Sequence, residues 1–424
     1  MISLEKIEIF GGKQLNGEIQ VQGSKNSSLP ILAASLLVDG VSRIDNCPDL
    51  TDVNAAIKIL EHLGCKVKRE KTTVIVDSTA VSRYDIPQDL MHEMRSSIVF
   101  LGSILSRMGM AQLCTPGGCE IGLRPIDLHL SSLKTLGVSI EENSDGIDCK
   151  CENGIRGSVV SLSFPSVGAT ENIILASVFA SGTTTILNAA REPEIEDLAD
   201  FLNKIGCKVF VQNQGTVIIE GVNKAHGCKH KVISDRIVAL TYMSAVAATR
   251  GDVILRGIDS NHFLSVLPVF EKAGCVIINE THAVRIISNS RLKALRDIRT
   301  MPYPGFPTDA QAPVMALACT AKGTSVIVEN IFESRFKHVN ELTRMGAKIK
   351  IEGKVAVIDG VKSLHGANVK STDLRGGSAL VVAGLAAKNG KTSIDGLNHI
   401  DRGYQDIVGC LKNVGAEIER IKLN

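Results

Sequence analysis

One phrase occurs six times along this chain, and nothing else in the sequence limits the possible folds as strongly. It reads Leu-x-x-(apolar)-Gly-(small)-x-(β-branched), with Phe for Leu once, at 60–67, 133–140, 202–209, 270–277, 342–349 and 411–418. Its glycines, Gly64, Gly137, Gly206, Gly274, Gly346 and Gly415, stand 68 to 73 residues apart. A second phrase of the form Gly-x-(Thr/Ser)-x-(Ile/Val), as in "SGTTTI", "KGTSVI" and "NGKTSI", keeps the same beat through Gly40, Gly109, Gly182, Gly251, Gly323 and Gly390. Two phrases in phase over six periods define repeated copies of one supersecondary unit.

The second phrase reads as a turn entering a strand. The first reads as the end of a helix, its glycine supplying the left-handed residue past the last turn. It runs on into a strand and then a hairpin partner such as 217–219 or 355–358. Small-residue runs with little charge lie at 27–37, 96–105, 168–180, 237–248, 310–321 and 376–387. A helix that is apolar on every side is a buried helix, and these are too short to cross a bilayer. Each unit is therefore expected to be βαβαββ, with one buried and one surface helix. The sixth unit lacks its closing strand, and residues 6–11 look like the closing strands 217–221 and 355–360. The N-terminal segment is thus predicted to complete the last unit. That gives two domains of three units each, one at 25–233 and one formed by 1–24 with 234–424.

Apolar residues make up 44% of the chain and charged residues 22%, enough for two real cores. Trp is absent and aromatics are only 4%, so those cores are aliphatic. A net charge of +2 speaks against a nucleic-acid binder. The opening "MISLEKIEIF" has no basic-then-apolar signal, and the odd count of 11 scattered cysteines suits a reducing compartment. A cytoplasmic protein with no membrane partner is expected. There is no Walker loop and no G-x-G-x-x-G, so neither ATP nor NAD is implied. Cys149 with Cys151, and His226 with Cys228 and His230, do not complete a ligand set, so no metal is expected either.

Polar groups precede every buried run: Ser24-Lys25-Asn26, Met94-Arg95-Ser96, Ser166-Val167-Gly168, Asp235-Arg236, Thr308-Asp309 and Asp373-Leu374-Arg375. Helix starts carry unsatisfied N–H groups and partial positive charge, and so attract anions. Plain capping explains Ser166 and Asp235 equally well. Cations are disfavoured there unless an anion compensates them, so Lys25, Arg95 and Arg375 point to a bound anion. The stretch "PGGCEIGLRPIDLH" at 116–129 stands where other units have a simple turn. Its glycines allow a loop to lie close to a ligand, and Cys119 at its tip is a nucleophile or an acid. Arg191, Arg335 and Arg402 follow strand ends and are expected to begin surface helices. Arginine's planar fork matches phosphate and carboxylate.

Through Lys25-Asn26, the PGGC loop, "PSVGAT", "AAREPEIEDLA", "GFPTDAQA", "DLR" and "HIDRGY", the chain from Ile7 to Ile421 resembles the enolpyruvyl transferases. The PGGC loop points, within that family, to an acceptor that is a nucleotide sugar rather than shikimate 3-phosphate. The resemblance implies an α/β fold of two inside-out α/β barrels built from six βαβαββ repeats. It implies transfer of the enolpyruvyl group of phosphoenolpyruvate to the 3-hydroxyl of UDP-N-acetylglucosamine, with release of phosphate. A monomer without a cofactor is expected. In this family's pattern Lys25, Arg124 and Arg402 hold phosphoenolpyruvate. Arg95 and the run Arg124, Pro125, Ile126, Asp127 and Leu128 meet the nucleotide sugar, with Asp309 and Ile331 near its sugar and uridine ends. Cys119 donates the proton to C3, and Asp309 partners the sugar 3-hydroxyl. Asn26, Ser166, Val167, Gly168, Arg335, Asp373 and Arg375 complete the expected binding set. Two alternatives stand beside this: a different hydroxyl acceptor, or a non-catalytic paralogue that only binds nucleotide sugar. Val238, Leu240 and Phe164 depart from the pattern, and Gly376 and Gly377 are expected to loosen the helix after Arg375.

Overall fold

The six periods become six four-stranded sheets in the computed structural model, which describes residues 5–114, 126–144 and 146–422. The third repeat shows the plan. Val159–Ser161 lies parallel to Thr183–Leu187, which pairs antiparallel with Thr216–Glu220, and that strand with Lys208–Gln212. Parallel neighbours need a crossover, and the helix Val167–Ser177 provides it. The helix Pro193–Lys204 then leads to the closing hairpin. All six phrase glycines, Gly64, Gly137, Gly206, Gly274, Gly346 and Gly415, have φ between 91° and 114°, where a side chain is strained and glycine is not. The segment Glu5–Phe10 pairs antiparallel with Glu417–Lys422 and with Lys391–Asp395, closing the sixth sheet as the sequence predicts.

Contacts divide the described residues into two units. The first holds residues up to Gln22 and from Ser234 onward; the second runs from Gly23 to Ile233. Each has its own aliphatic core. Ser24, which the sequence reading places with residues 1–24, belongs to the second unit. Its N–H donates to Ile233 O at 2.8 Å, and its side chain caps the helix Lys25–Ser35. Near each of the two breaks a strand pairs with a partner that is distant in sequence but belongs to the same unit. Asn16–Gln20 pairs in parallel with Asp252–Arg256 in the first unit, and Lys229–Lys231 with Val41–Asp45 in the second.

Each unit is an inside-out barrel, with three buried helices within and sheets outside. In the first unit Arg236–Thr249, Thr308–Ala318 and Leu374–Ala386 all touch one another. In the second, Phe100–Met108 packs on Val167–Ser177 and on Lys25–Ser35. A Cβ at Gly102 would stand 2.4 Å from Asn172 O, so only glycine permits that helix contact. Fully buried side chains such as Ile173, Ile174 and Leu175 each contribute about 1.5–3 kcal/mol.

Two helix readings need correction. The run 96–105 does not start as an α-helix: Arg95–Val99 is a 3-10 segment, and the α-helix begins at Phe100. Met94 offers no side-chain cap, and an uncapped first turn tightens readily into i→i+3 bonding. Gly376 and Gly377 do not loosen the helix Leu374–Ala386, which continues through them. A Cβ at Gly376 would meet Asp373 Oδ2 at 2.6 Å, and one at Gly377 would meet Ser371 Oγ at 2.4 Å. They are there for close approach.

Candidate active site

In the first unit the polar starts of the buried helices converge on Asp309, in the opening turn of Thr308–Ala318. Arg335 Nη2 donates to its Oδ1 at 2.6 Å and Arg375 Nη2 to its Oδ2 at 3.0 Å. Both arginine side chains are almost wholly buried, at 4% and 2% exposed, while Asp309 is 30% exposed. One carboxylate thus bridges two buried guanidiniums and stays partly exposed. Burial works against the charge of Arg375, but Asp309, Tyr404 and Asp235 outweigh it and push its pKa above the ordinary value. Tyr404 adds a hydroxyl 3.4 Å from Arg375 Nη1 and bonds Thr241 Oγ1 at 2.7 Å. Asp373 accepts from Arg375 N and Gly376 N, and Asp235 from Ile237 N and Val238 N. The departures Val238 and Leu240 are both buried in the core.

The sequence reading missed Glu329, which is 1% exposed. It accepts from Thr300 Oγ1 and Thr308 Oγ1 and from the N–H groups of Ile331 and Phe332. It therefore fixes the Ile331 loop against the start of the Asp309 helix. Gln22 was missed too. It donates to Gly403 O at 3.1 Å and accepts from Gln405 N at 2.8 Å, pinning the turn that carries half-buried Arg402. Arg335 and Arg402 do not begin surface helices. They precede Val339–Arg344 and Ile407–Asn413, helices of 6 and 7 residues against the 12 of Thr51–His62 and of Pro193–Lys204. The shortening leaves both arginines in turns. Arg191 is exposed, just ahead of Pro193–Lys204.

In the second unit Ser24 and Ser166 each cap a buried helix by accepting one N–H, from Ser27 and Ala169. Lys25 Nζ lies 3.2 Å from Asp52 Oδ2, with Asp52 almost fully buried. The charges of Lys25 and Arg375 thus already meet carboxylates of the chain itself, Asp52 and Asp309. The sequence reading assigned that role to a bound anion. Asn26 stands half-buried in the same first turn as Lys25. Pro30 and Pro313 lie four residues after Asn26 and Asp309, and since proline has no N–H, those two carbonyls lack a helical donor. Ile126 stands before the helix Asp127–Thr135 and gives it no side-chain cap, with Asp127 exposed and Leu128 half-buried. His129 follows them and meets Asn172 of the Val167–Ser177 helix. Val167 and Gly168 are half-buried in that helix's first turn, and Phe164 is exposed just before it. Cys119, Arg124 and Pro125 lie outside the described residues, as does the side chain of Arg95.

His230, considered with Cys228 as a ligand, instead bonds Asp197 Oδ1 at 2.9 Å, and Lys204 Nζ lies 3.3 Å from its other nitrogen. The same ammonium pairs with Asp200 Oδ2 at 2.6 Å. Burial pushes the thiols of Cys65, Cys207 and Cys275 up to about 11, 12 and 12, so they are unreactive near neutral pH.

Residues 9–411 match the family of EPSP synthase (3-phosphoshikimate 1-carboxyvinyltransferase), and the chain belongs to this family. Among its relatives, the UDP-N-acetylglucosamine 1-carboxyvinyltransferase 2 of Caldanaerobacter subterraneus subsp. tengcongensis is 50% identical over 98% of this chain and 99% of its own length. The UDP-N-acetylglucosamine 1-carboxyvinyltransferase of Finegoldia magna is 47% identical over 99% and 100%. That numbered 1 from Staphylococcus aureus is 44% identical over the same shares. The fold is that of the enolpyruvyl transferase NikO from Streptomyces tendae, with a TM-score of 0.89 over the whole of both chains at 24% identity. EPSP synthase from Acinetobacter baumannii follows at 0.78 and 19%, over 99% of this chain and 100% of its own.

Proposed function

We propose that this chain transfers the enolpyruvyl group of phosphoenolpyruvate to the 3-hydroxyl of UDP-N-acetylglucosamine, releasing phosphate. The observation that carries this is identity of 44–50% over 98–99% of the chain with proteins named for that transfer. It favours this acceptor over shikimate 3-phosphate.

In this reading Asp309 accepts the proton-bearing edge of the sugar 3-hydroxyl. Its partial exposure and its two arginine partners support the role, since a carboxylate held on one side presents the other in a fixed direction. Cys119 delivers a proton to C3 as the hydroxyl attacks C2. A thiol with an ordinary pKa of about 8.5 is mostly protonated at neutral pH yet able to transfer. The tetrahedral intermediate then expels phosphate. Lys25, Arg124 and Arg402 hold phosphoenolpyruvate, with Asp52 orienting the Lys25 ammonium. Asn26, Arg95, the run from Arg124 to Leu128, Ser166 to Gly168 and Ile331 hold the nucleotide sugar. Arg335, Asp373 and Arg375 keep Asp309 in place. The reaction opens peptidoglycan synthesis, on which cell shape and division depend. The chain works as a cytoplasmic monomer, and fosfomycin inactivates it by alkylating Cys119. No helix among the described residues is long and apolar enough to cross a membrane.

A phosphate-release assay tests the reading. Phosphate should appear from phosphoenolpyruvate only when UDP-N-acetylglucosamine is added. Release with shikimate 3-phosphate and none with the nucleotide sugar overturns the assignment.

A further inference from the structure

His129 is 7% exposed and plays no part in the expected binding set, yet its surroundings fix its chemistry. Asn172 Oδ1 accepts from Gly102 N at 2.7 Å, and Asn172 Nδ2 donates to Ile98 O at 2.9 Å. A backbone N–H needs an acceptor and a backbone carbonyl needs a donor, so these two bonds leave the amide only one orientation. The same Nδ2 stands 2.8 Å from His129 Nδ1. It is a donor there as well, so Nδ1 must offer its lone pair. The proton of the neutral ring is therefore on Nε2. Burial lowers the ring's pKa to about 4, with the Asp127 carboxylate opposing, so the ring is neutral at physiological pH.

The Nε2 edge faces the start of the Val167–Ser177 helix. A Cβ at Gly168 would stand 3.0 Å from His129 Cε1 and 3.3 Å from Nε2, so glycine there admits the ring. Nε2 has no hydrogen-bond partner among the described residues. At the helix start, Ser166 satisfies Ala169 N through its side chain and Thr170 N through its carbonyl. The N–H groups of Val167 and Gly168 have no acceptor among the described residues, and no acidic side chain lies in that first turn. Three donors thus meet with nothing to accept from them, next to uncompensated positive helix dipole.

The geometry points to His129 as a direct ligand-binding donor: its Nε2–H bonds a phosphate oxygen of the nucleotide sugar seated on the Val167–Gly168 helix start. This rests on the function proposed above. A neutral, tautomer-locked imidazole suits the task because it presents one donor in one direction and adds no charge to be desolvated. Asn172 is the positioning residue, acting through the ring and not on the ligand.

The test combines nitrogen-detected NMR of the wild-type imidazoles with steady-state kinetics. The wild-type ring should show a protonated Nε2 and a bare Nδ1 from pH 8 down to pH 5, and UDP alone should shift the Nε2–H signal. A protonated Nδ1, or an Nε2–H signal unmoved by saturating UDP, overturns the proposal. His129→Phe, of similar shape and without the donor, should raise KM for UDP-N-acetylglucosamine by about ten- to a hundredfold, the range of a hydrogen bond to a charged group. KM for phosphoenolpyruvate should change by less than about twofold on the same basis. His129→Gln, which can place an amide N–H near the Nε2 position, should recover part of the loss. A folded His129→Phe protein with unchanged KM for the nucleotide sugar overturns the role of His129 alone. A wild-type chain that does not bind UDP-N-acetylglucosamine at all overturns the functional reading instead. The wild-type NMR decides the tautomer even if the Phe variant does not fold.

Discussion

The two units build their buried helix starts from different chemistry. From Gly23 to Ile233 hydroxyls do the capping, Ser24 and Ser166 accepting one N–H each. In the other unit carboxylates do it, Asp235 and Asp373 accepting two N–H groups each, and Asp309 adds a third acid in a first turn. A hydroxyl cap leaves the helix dipole uncompensated and some donors open, so such a start receives an anion readily. A carboxylate cap closes the start and brings its own negative charge. Positive charge in that unit comes instead from buried Arg335 and Arg375, themselves committed to Asp309. One repeat thus yields a set of backbone anion receptors in one unit and a rigid carboxylate–guanidinium cluster in the other. In the proposed function the nucleotide phosphates belong to the hydroxyl-capped helix starts of Gly23–Ile233, and the reacting hydroxyl belongs to Asp309.

The largest effect should come from breaking the carboxylate cluster. Asp309→Ala should lower the rate of phosphate release by about 10²–10⁴-fold, the usual worth of a positioned acid or base. It should also lower the unfolding temperature, because two buried guanidiniums lose their anion. A variant that keeps more than about a tenth of the wild-type rate breaks the assignment of the reacting hydroxyl to that unit.

Lys25→Met should act on the other side of the comparison. It removes the ammonium but leaves the Ser24 cap, so KM for phosphoenolpyruvate should rise by about ten- to a hundredfold, and the unfolding temperature should fall because buried Asp52 loses a cation. Asp52→Asn should give a smaller rise of the same kind, since it loosens the lysine without deleting it. Equal KM values in all three proteins, read from steady-state kinetics, contradict the role of the pair.

A smaller effect separates the cores. Glu171 lies buried in the Val167–Ser177 helix, and burial, with Glu194 and Glu192 nearby, raises its pKa well above 4.5. The folded chain then holds a proton that the unfolded chain has lost, so stability falls as pH climbs above 4.5 toward the folded value. Glu171→Gln should remove this dependence. Its unfolding temperature should match wild type near pH 4.5 and exceed it at pH 8 by a few degrees, the shift of about 1 kcal/mol in a domain of this size. A gain that shrinks with rising pH has the wrong sign.

The repeat made most of the fold legible. A period of 68 to 73 residues between Gly64, Gly137, Gly206, Gly274, Gly346 and Gly415 and a left-handed glycine at each helix end are local features, and local features survive in sequence. In the second phrase Gly40, Gly109, Gly182, Gly323 and Gly390 have positive φ, while at Gly251 the preceding Arg250 takes the left-handed turn instead, at φ 61°. The site was legible by residue type and not by pairing. Lys25 and Arg375 stood out as cations at helix starts, but their partners Asp52 and Asp309 are 27 and 66 residues away, and no periodicity links them. Glu329 and Gln22 likewise act through backbone groups of distant turns. Asn172 left one trace: it and Glu171 are amide and carboxyl side chains inside the run "VGATENIILAS", where a polar group needs a buried partner. That partner, His129, was read only as the end of the PGGC stretch.

The contrast between hydroxyl and carboxylate caps is tested most directly by giving one unit the other's cap. Calorimetric titration of UDP-N-acetylglucosamine into Ser166→Asp, beside wild type, does this with a single change. Asp caps a helix as well as Ser does, so the variant should unfold at the same temperature or slightly above. Its charge should close the helix start to phosphate and weaken binding at least about tenfold. A folded variant that binds the nucleotide sugar within about twofold of wild type would contradict the account.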